Sequence, residues 1–363
     1  VHLAAYPVSK IIQNGSQTID VHFKILADSS NTRTPTDAIC VIDVSGSMGA
    51  LANSQMNDGL TILDIVKQGV RVISNALDAN DRLSIVTYSS SAHLILPFTT
   101  MDDAGRTVVE KKLHEIHSGG QTNIGDAIHI AQEATRTRAD KSRNPAIMVL
   151  TDGIPNISPP NGEEHALREY IDSNGIVASI STFCFGYNLD STMMSNIARI
   201  GNGVYAFIPD ATFVLTIFVN YVANILSIAG TRARLDIQTL DGTEILNYDN
   251  DETETNVADS MVQKTTWGAS VQLGSLQQGQ SRDVVMQVRL PDTYIAGKNY
   301  LTAKVVYTNA QTSVIHSHQH TANAVNGNVD SEYHYARQHF LSSVCTAMKC
   351  VQDEQMDIAT SLI

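Results

Sequence analysis

Ala38-Ile39-Cys40-Val41-Ile42-Asp43-Val44-Ser45-Gly46-Ser47-Met48-Gly49 is the stretch that decides the fold. A short apolar run, read as a buried strand, leads into a turn carrying one carboxylate and two hydroxyls. Open α/β sheets bind ligands at the carboxyl ends of their strands, where this turn would lie. Asp43, Ser45 and Ser47 are hard oxygen donors, which suit Mg²⁺, Ca²⁺ or Mn²⁺ and argue against zinc or copper.

Two later segments extend the pattern. Leu150-Thr151-Asp152-Gly153 again ends an apolar run (Ala146–Leu150) with an aspartate, and Gly119-Gly120-Gln121-Thr122-Asn123 sets a threonine in a glycine-rich loop before a helix-like stretch. A Ser or Asp at one strand end usually caps a helix. Five such residues in this order, Asp43, Ser45, Ser47, Thr122 and Asp152, resemble the metal-ion-dependent adhesion site of von Willebrand factor type A domains. The resemblance covers roughly Thr36 to Gly230, with the D-x-S-x-S, T and D elements all present. It implies that Ser45, Ser47 and Thr122 give hydroxyl oxygens to the ion, and that Asp43 and Asp152 act directly or through water. It also implies an open position for a carboxylate from a protein partner, with Mg²⁺ (or Ca²⁺ or Mn²⁺) as the cofactor. The rival reading of Asp43 is the nucleophile of a haloacid dehalogenase-type phosphotransferase. That chemistry needs a second acid two positions on, where this chain has Ser45. No G-x-S-x-G or G-x-x-x-x-G-K-[ST] motif occurs, so no catalytic residue is assigned.

The 363 residues allow two or more cores, and 43% hydrophobic with 17% charged residues describes a folded globular chain. A net charge of −13 argues against nucleic acid or an anionic membrane as the main partner. Four cysteines without C-x-x-C spacing favour a reduced, cytoplasmic protein, with Cys40 and Cys184 as small buried hydrophobes. Asn14 and Asn156 begin N-x-S/T sequons, which leaves an extracellular alternative open. The start at Val1, without methionine or leader, reads as a processed or trimmed product. Phe213–Gly230 carries little charge but reads as a buried helix rather than a membrane span.

From Asp37 to Ile228 apolar runs alternate with amphipathic stretches. Helices are expected around Leu60–Leu77, Ala104–Ile116, Ile124–Arg136, Glu163–Ser173 and Ser191–Ile200. Arg82–Ser89 and Ala92–Phe98 read as an antiparallel pair. The sum is a mostly parallel, helix-covered α/β sheet. After Gly230 the pattern turns all-β, and the lone early strand Ile19–Ala27 needs partners there. The expected organisation is therefore an N-terminal strand (1–33) and a type A domain (36–229). A β-sandwich (230–325) and a C-terminal helix with tail (326–363) complete it. This arrangement resembles proteins in which the type A domain accompanies a Hint (intein-like) domain, and plant RING ligases. A stripe of Tyr333, Ala336, Phe340, Val344, Ala347, Met348 and Val351 is expected to dock the last helix.

Other features carry two readings each. The loop Ala50–Gly59 either shapes partner choice or is plain surface. Asp126 either supports the site or complements its helix dipole. His316, His318 and His320, with His334 and His339, either ligate zinc or mark an exposed strand edge. The acidic run Asp249–Glu254 is a solvated loop. The function that emerges is a non-enzymatic, cation-dependent protein-binding module whose partner supplies an Asp or Glu. The alternative is the substrate-recruiting part of a larger enzyme, a ubiquitin ligase or Hint protein.

Overall fold

The computed structural model describes residues 1–9, 15–29, 33–51, 59–186, 189–209, 211–246, 262–310, 312, 314–323, 326–327 and 329–352. Most of the loop after Gly49, the run Asp249–Glu254, Asn14 and the tail after Gln352 lie outside them. Strands β1 (His2–Pro7) and β2 (Gln17–Leu26) come first. Then β3 (Thr36–Asp43), α1 (Ile62–Ala76), β4 (Arg82–Tyr88), β5 (Ala92–Thr100), α2 (Asp103–Glu115) and α3 (Ile124–Thr137) follow. Next are β6 (Asn144–Thr151), α4 (Glu163–Asn174), β7 (Ser179–Phe185), α5 (Ser191–Ile200), β8 (Asn202–Ile208) and α6 (Val214–Leu226). The chain then continues with β9 (Ile228–Thr239), β10 (Glu244–Ile245), β11 (Val262–Thr265), β12 (Gly268–Gln277), β13 (Ser281–Leu290), β14 (Leu301–Asn309), β15 (Ile315–Ala322) and α7 (Val329–Gln352). Two compact units result, one of Thr32–Ile228 and one of Val1–Asn31 with Ala229–Ile363.

The first unit is the expected α/β fold. Its six-stranded sheet runs β5-β4-β3-β6-β7-β8, parallel throughout except for β5, which pairs antiparallel with β4. Every residue of β3 is buried, as a central strand covered on both faces requires. Helix α1 starts where Thr61 and Asp64 form a reciprocal capping box, and α3 starts at Asn123, whose side chain accepts the Asp126 N–H. Helix α6 packs through Phe218, fully buried, which stacks on Phe183 at 4.9 Å between ring centres. Gly69 of α1 allows this approach, since a Cβ there would lie 2.7 Å from the Phe218 ring. Phe213, Leu215 and Val219 are exposed, so α6 is amphipathic rather than wholly buried. No helix among the described residues is long and apolar enough to cross a membrane.

The second unit has two antiparallel sheets, β1-β2-β13-β10 and β11-β12-β9-β14-β15. One apolar cluster takes residues from both, including Val21, Phe23 and Ile25 of β2, Leu235 and Ile237 of β9, and Ala303 and Val305 of β14. The pairing of β2 with β13 runs ten residues, from Gln17↔Leu290 to Leu26↔Ser281. Strands β1, β10 and β11 escaped the sequence reading, being short or weakly alternating.

The last helix corrects an expectation. Tyr333, Phe340, Met348 and Val351, members of the predicted stripe, are exposed. The face of α7 turned to β2 and β13 is instead polar: Gln338 bonds both the N–H (3.2 Å) and the C=O (3.1 Å) of Val285, and Asp330 pairs with Lys24 at 2.6 Å. Of the predicted stripe only Ala347 is fully buried, so hydrogen bonds and one ion pair carry much of this helix's contact with the sheet.

Removing the Phe218 ring tests the α/β core. Phe218→Ala should lower unfolding free energy by about 3–5 kcal/mol in denaturant melts; a loss below about 1 kcal/mol would contradict the packing described.

Candidate functional site

Strand β3 carries a buried aspartate at each end, and the two are treated differently. Asp37, at the amino end, is paired by Arg82 through two bonds (2.8 and 2.7 Å) and by Arg138 at 3.0 Å. Asp43, at the carboxyl end, is fully buried and the described residues give it no basic partner. It accepts the Ser45 N–H at 2.8 Å and the Thr151 hydroxyl at 2.7 Å. Thr151 ends β6, which lies beside β3 in parallel register, while Tyr88 ends β4 on the other side, opposite Asp43. Burial pushes the Asp43 carboxyl above its ordinary range, and the Thr151 and Ser45 hydrogen bonds only partly offset this.

Beyond Asp43 the chain makes a single 3-10 turn, Gly46–Gly49, anchored by fully buried Met48. This turn aims two hydroxyls outward. Ser45 Oγ and Ser47 Oγ are 3.1 Å apart, and Ser47 Oγ donates to Asp152 Oδ1 at 2.8 Å. The glycine-rich loop is drawn in by two backbone bonds, Gly119 N–H to Val44 C=O (2.7 Å) and Gly46 N–H to Gly120 C=O (3.1 Å). Gly120 has φ +89°, and a Cβ there would meet the Ser89 side chain at 3.1–3.2 Å, so only glycine makes this turn without strain. Thr122, buried, lines the same cleft as Ser45, Ser47 and Asp152, a space of about 450 Å³ that also touches Ile154, Phe185 and Gly186.

Asp152 is 7% exposed, and its carboxyl is pushed up to about 6. Burial is the largest cause; the Ser47 hydrogen bond opposes it and the charge of Asp43 adds to it. One carboxylate in the cleft, Asp152, and one buried behind it, Asp43, thus lie without a counter-charge among the described residues, beside three hydroxyl-bearing residues. This set fits a hard divalent cation: all donors are oxygens, the charge to be neutralised is already present, and the cleft is open on one side.

The four residues Asp43, Ser45, Ser47 and Asp152 form one chain of contacts, and Thr122 joins them as a wall of the cleft. Asp126 does not belong to it: its carboxylate accepts the Ala92 N–H at 2.7 Å. Asn156, read only as a sequon, accepts the Thr122 N–H (2.8 Å) and returns its own N–H to the Thr122 C=O (3.0 Å). It holds Thr122 in place. Thr151 went unremarked as well, although a hydroxyl immediately before Asp152 at a strand end was the available signal.

Residues 38–154 match the family model of the von Willebrand factor type A domain, and the α/β unit has the fold of that domain. A solved von Willebrand factor type A protein from Catenulispora acidiphila superposes with a TM-score of 0.72 at 16% identity, over 99% of this chain and 84% of that one. Among curated proteins, the probable E3 ubiquitin-protein ligase WAVH2 of Arabidopsis thaliana is 22% identical over 73% of this chain and 34% of its own length. The uncharacterized protein YfbK of Escherichia coli is 27% identical over 48% of this chain and 28% of its own. The chain therefore spans about a third of the length of such relatives.

The raised Asp152 has a signed consequence. Its folded value near 6 lies above the ordinary 3.8, so the folded state binds the extra proton and metal-free stability falls as pH rises from about 4 to 6. Allowing for solvent at the rim of the cleft, the loss is on the order of 1–2 kcal/mol. In chelator, Asp152→Asn should therefore be more stable than the parent at pH 7.5 and equal to it at pH 4. Thermal melts at both values check this; a destabilised variant at pH 7.5 contradicts it.

Proposed function

We propose that this chain is a divalent-cation-dependent protein-binding module whose partner presents an Asp or Glu side chain to the cleft. The observation that carries the reading is the line Ser45 Oγ–Ser47 Oγ–Asp152 Oδ1, with spacings of 3.1 and 2.8 Å, on the floor of an open cleft backed by buried Asp43. Ser45, Ser47 and Thr122 would hold Mg²⁺ through hydroxyl oxygens, with Asp43 and Asp152 bonded directly or through water. A bound cation would supply positive charge only partly offset by two carboxylates, which attracts a third from outside.

The protein's own residues do the remaining work. Asp43 is held by Thr151 and Ser45 so that its charge faces the turn. Met48 fixes the turn, and Asn156 fixes the backbone of Thr122. Exposed Ile154, beside Asp152, offers an apolar contact at the rim for whatever surrounds the partner's acid. No side chain in the cleft is placed as a nucleophile, which supports binding rather than catalysis within this chain.

A specific observation favours a wider reading. Relatives with whole-protein descriptions as ubiquitin ligases are a little over twice the length of this chain. In a protein of that kind the same cleft would recruit a substrate for a catalytic domain elsewhere. We read the two-sheet unit as a β-sandwich interrupted in sequence by the type A domain.

Calorimetric titration with Mg²⁺ and Mn²⁺ tests the site. Ser45→Ala with Ser47→Ala should weaken binding at least about 100-fold while shifting the melting temperature in chelator by only a few degrees. Unchanged cation affinity would overturn the assignment, and collapse of the metal-free fold would show a structural role instead. Cross-linking in a cell extract should then capture partners that EDTA removes; capture indifferent to EDTA contradicts the cation-dependent mechanism.

A further inference from the structure

The outer face of the β1-β2-β13-β10 sheet carries a second constellation, remote in sequence from the first. Alternation along β2 turns Ile19, Val21, Phe23 and Ile25 into the apolar cluster, so His22 and Lys24 point to the opposite face. Helix α7 covers that face. There His22, fully buried, meets Asp283 of β13, its Nε2 2.8 Å from Oδ1. His334 of α7 approaches the same carboxylate, its Nε2 3.5 Å from Oδ2. The ligand atoms of the three residues lie within 4.8 Å of one another.

We propose that His22, Asp283 and His334 form a binding site for a divalent transition metal of the zinc class, which staples α7 to the sheet. Two imidazoles and one carboxylate are a donor set for Zn²⁺ or Co²⁺, not for Mg²⁺. Donors bonded at 2.0–2.2 Å to a tetrahedral ion stand roughly 3.3–3.6 Å apart. The 3.5 Å spacing falls within that range, the 2.8 Å spacing is shorter, and all three ligand atoms lie within 4.8 Å, so side-chain rotations would bring them to one ion. The outer shell is also present. His22 Nδ1 bonds buried Ser331 Oγ at 3.0 Å, which orients the ring with Nε2 toward the carboxylate. Ser281 donates to Asp283 Oδ2, and Lys24–Asp330 closes the flank.

The two imidazoles stack at 4.8 Å between centres. His334 retains 17% side-chain exposure, so water can complete the coordination sphere.

This site shares only His334 with the zinc reading of the sequence. His316 and His318 stack on Tyr307 instead, and among the described residues only His22, Asp283 and His334 converge. Sequence spacing could not show it, because its members are separated by 261 and 51 positions and meet only through strand pairing and helix docking.

The test uses the whole chain in millimolar Mg²⁺, which keeps the oxygen site occupied, titrated with Zn²⁺ and separately with Co²⁺. One equivalent should bind, Co²⁺ giving a visible d–d band that Zn²⁺ abolishes, and Zn²⁺ should raise the melting temperature. His334→Ala, at the exposed side of the cluster, should remove the band and weaken Zn²⁺ at least about 100-fold, whereas Ser331→Ala should weaken it about tenfold. His334→Ala binding Zn²⁺ as tightly as the parent overturns the proposal. So does a parent chain that gives no Co²⁺ band. The parent measurement stands whether or not the variants fold.

Discussion

A buried carboxylate without a basic partner is the constraint on which the α/β unit is organised. Asp37 and Asp43 sit on one strand, seven positions of β3 inclusive, and both are fully buried. Asp37 is answered by Arg82 and Arg138, an arrangement that neutralises the charge and ties β3 to its neighbours. Asp43 is answered only by hydroxyls and one backbone N–H, and a second acid, Asp152, adds its charge nearby. Burying unpaired charge is costly. Two such groups at the carboxyl edge of a parallel sheet are the basis of the cation site proposed above. The 3-10 turn, the drawn-in glycine loop and the Asn156 clamp all serve that placement.

The second unit solves a related problem with different residues. Its sheet β1-β2-β13-β10 has one apolar face and one polar face, and α7 lies over the polar one. Gln338 meets backbone, Asp330 meets Lys24, and His334 meets His22 through Asp283. Much of this contact is polar, beside the buried Ala347 and Cys350, and a metal held by the three ligands would add to it. The two candidate metal sites separate by chemistry: oxygen donors in one, nitrogen-rich donors in the other.

Much of the first site was legible because its signal is local. Asp43, Ser45 and Ser47 are contiguous at a strand end, and Thr122 and Asp152 each stand at a strand-to-helix junction. What the sequence concealed are the residues whose meaning comes from register. Thr151 reaches Asp43 because β6 pairs in parallel with β3, and Tyr88 lies beside it because β4 pairs on the other side. Asn156 acts through a loop contact that no periodicity encodes. The docking of α7 was misread for a physical reason: an apolar stripe was sought where hydrogen bonds carry much of the contact. His22 and Asp283 were invisible for the same reason as Thr151, since only the pairing of β2 with β13 brings them together.

The central claim is that the hydroxyls of Ser45, Ser47 and Thr122, backed by Asp43 and Asp152, hold a hard divalent cation. Anomalous diffraction from crystals grown with Mn²⁺ tests it most directly. The account predicts a strong peak in direct coordination range of the Ser45 and Ser47 oxygens, with the Ser47–Asp152 hydrogen bond replaced by bonds to the ion. A cleft with no anomalous peak, and with that hydrogen bond intact at saturating Mn²⁺, would contradict it.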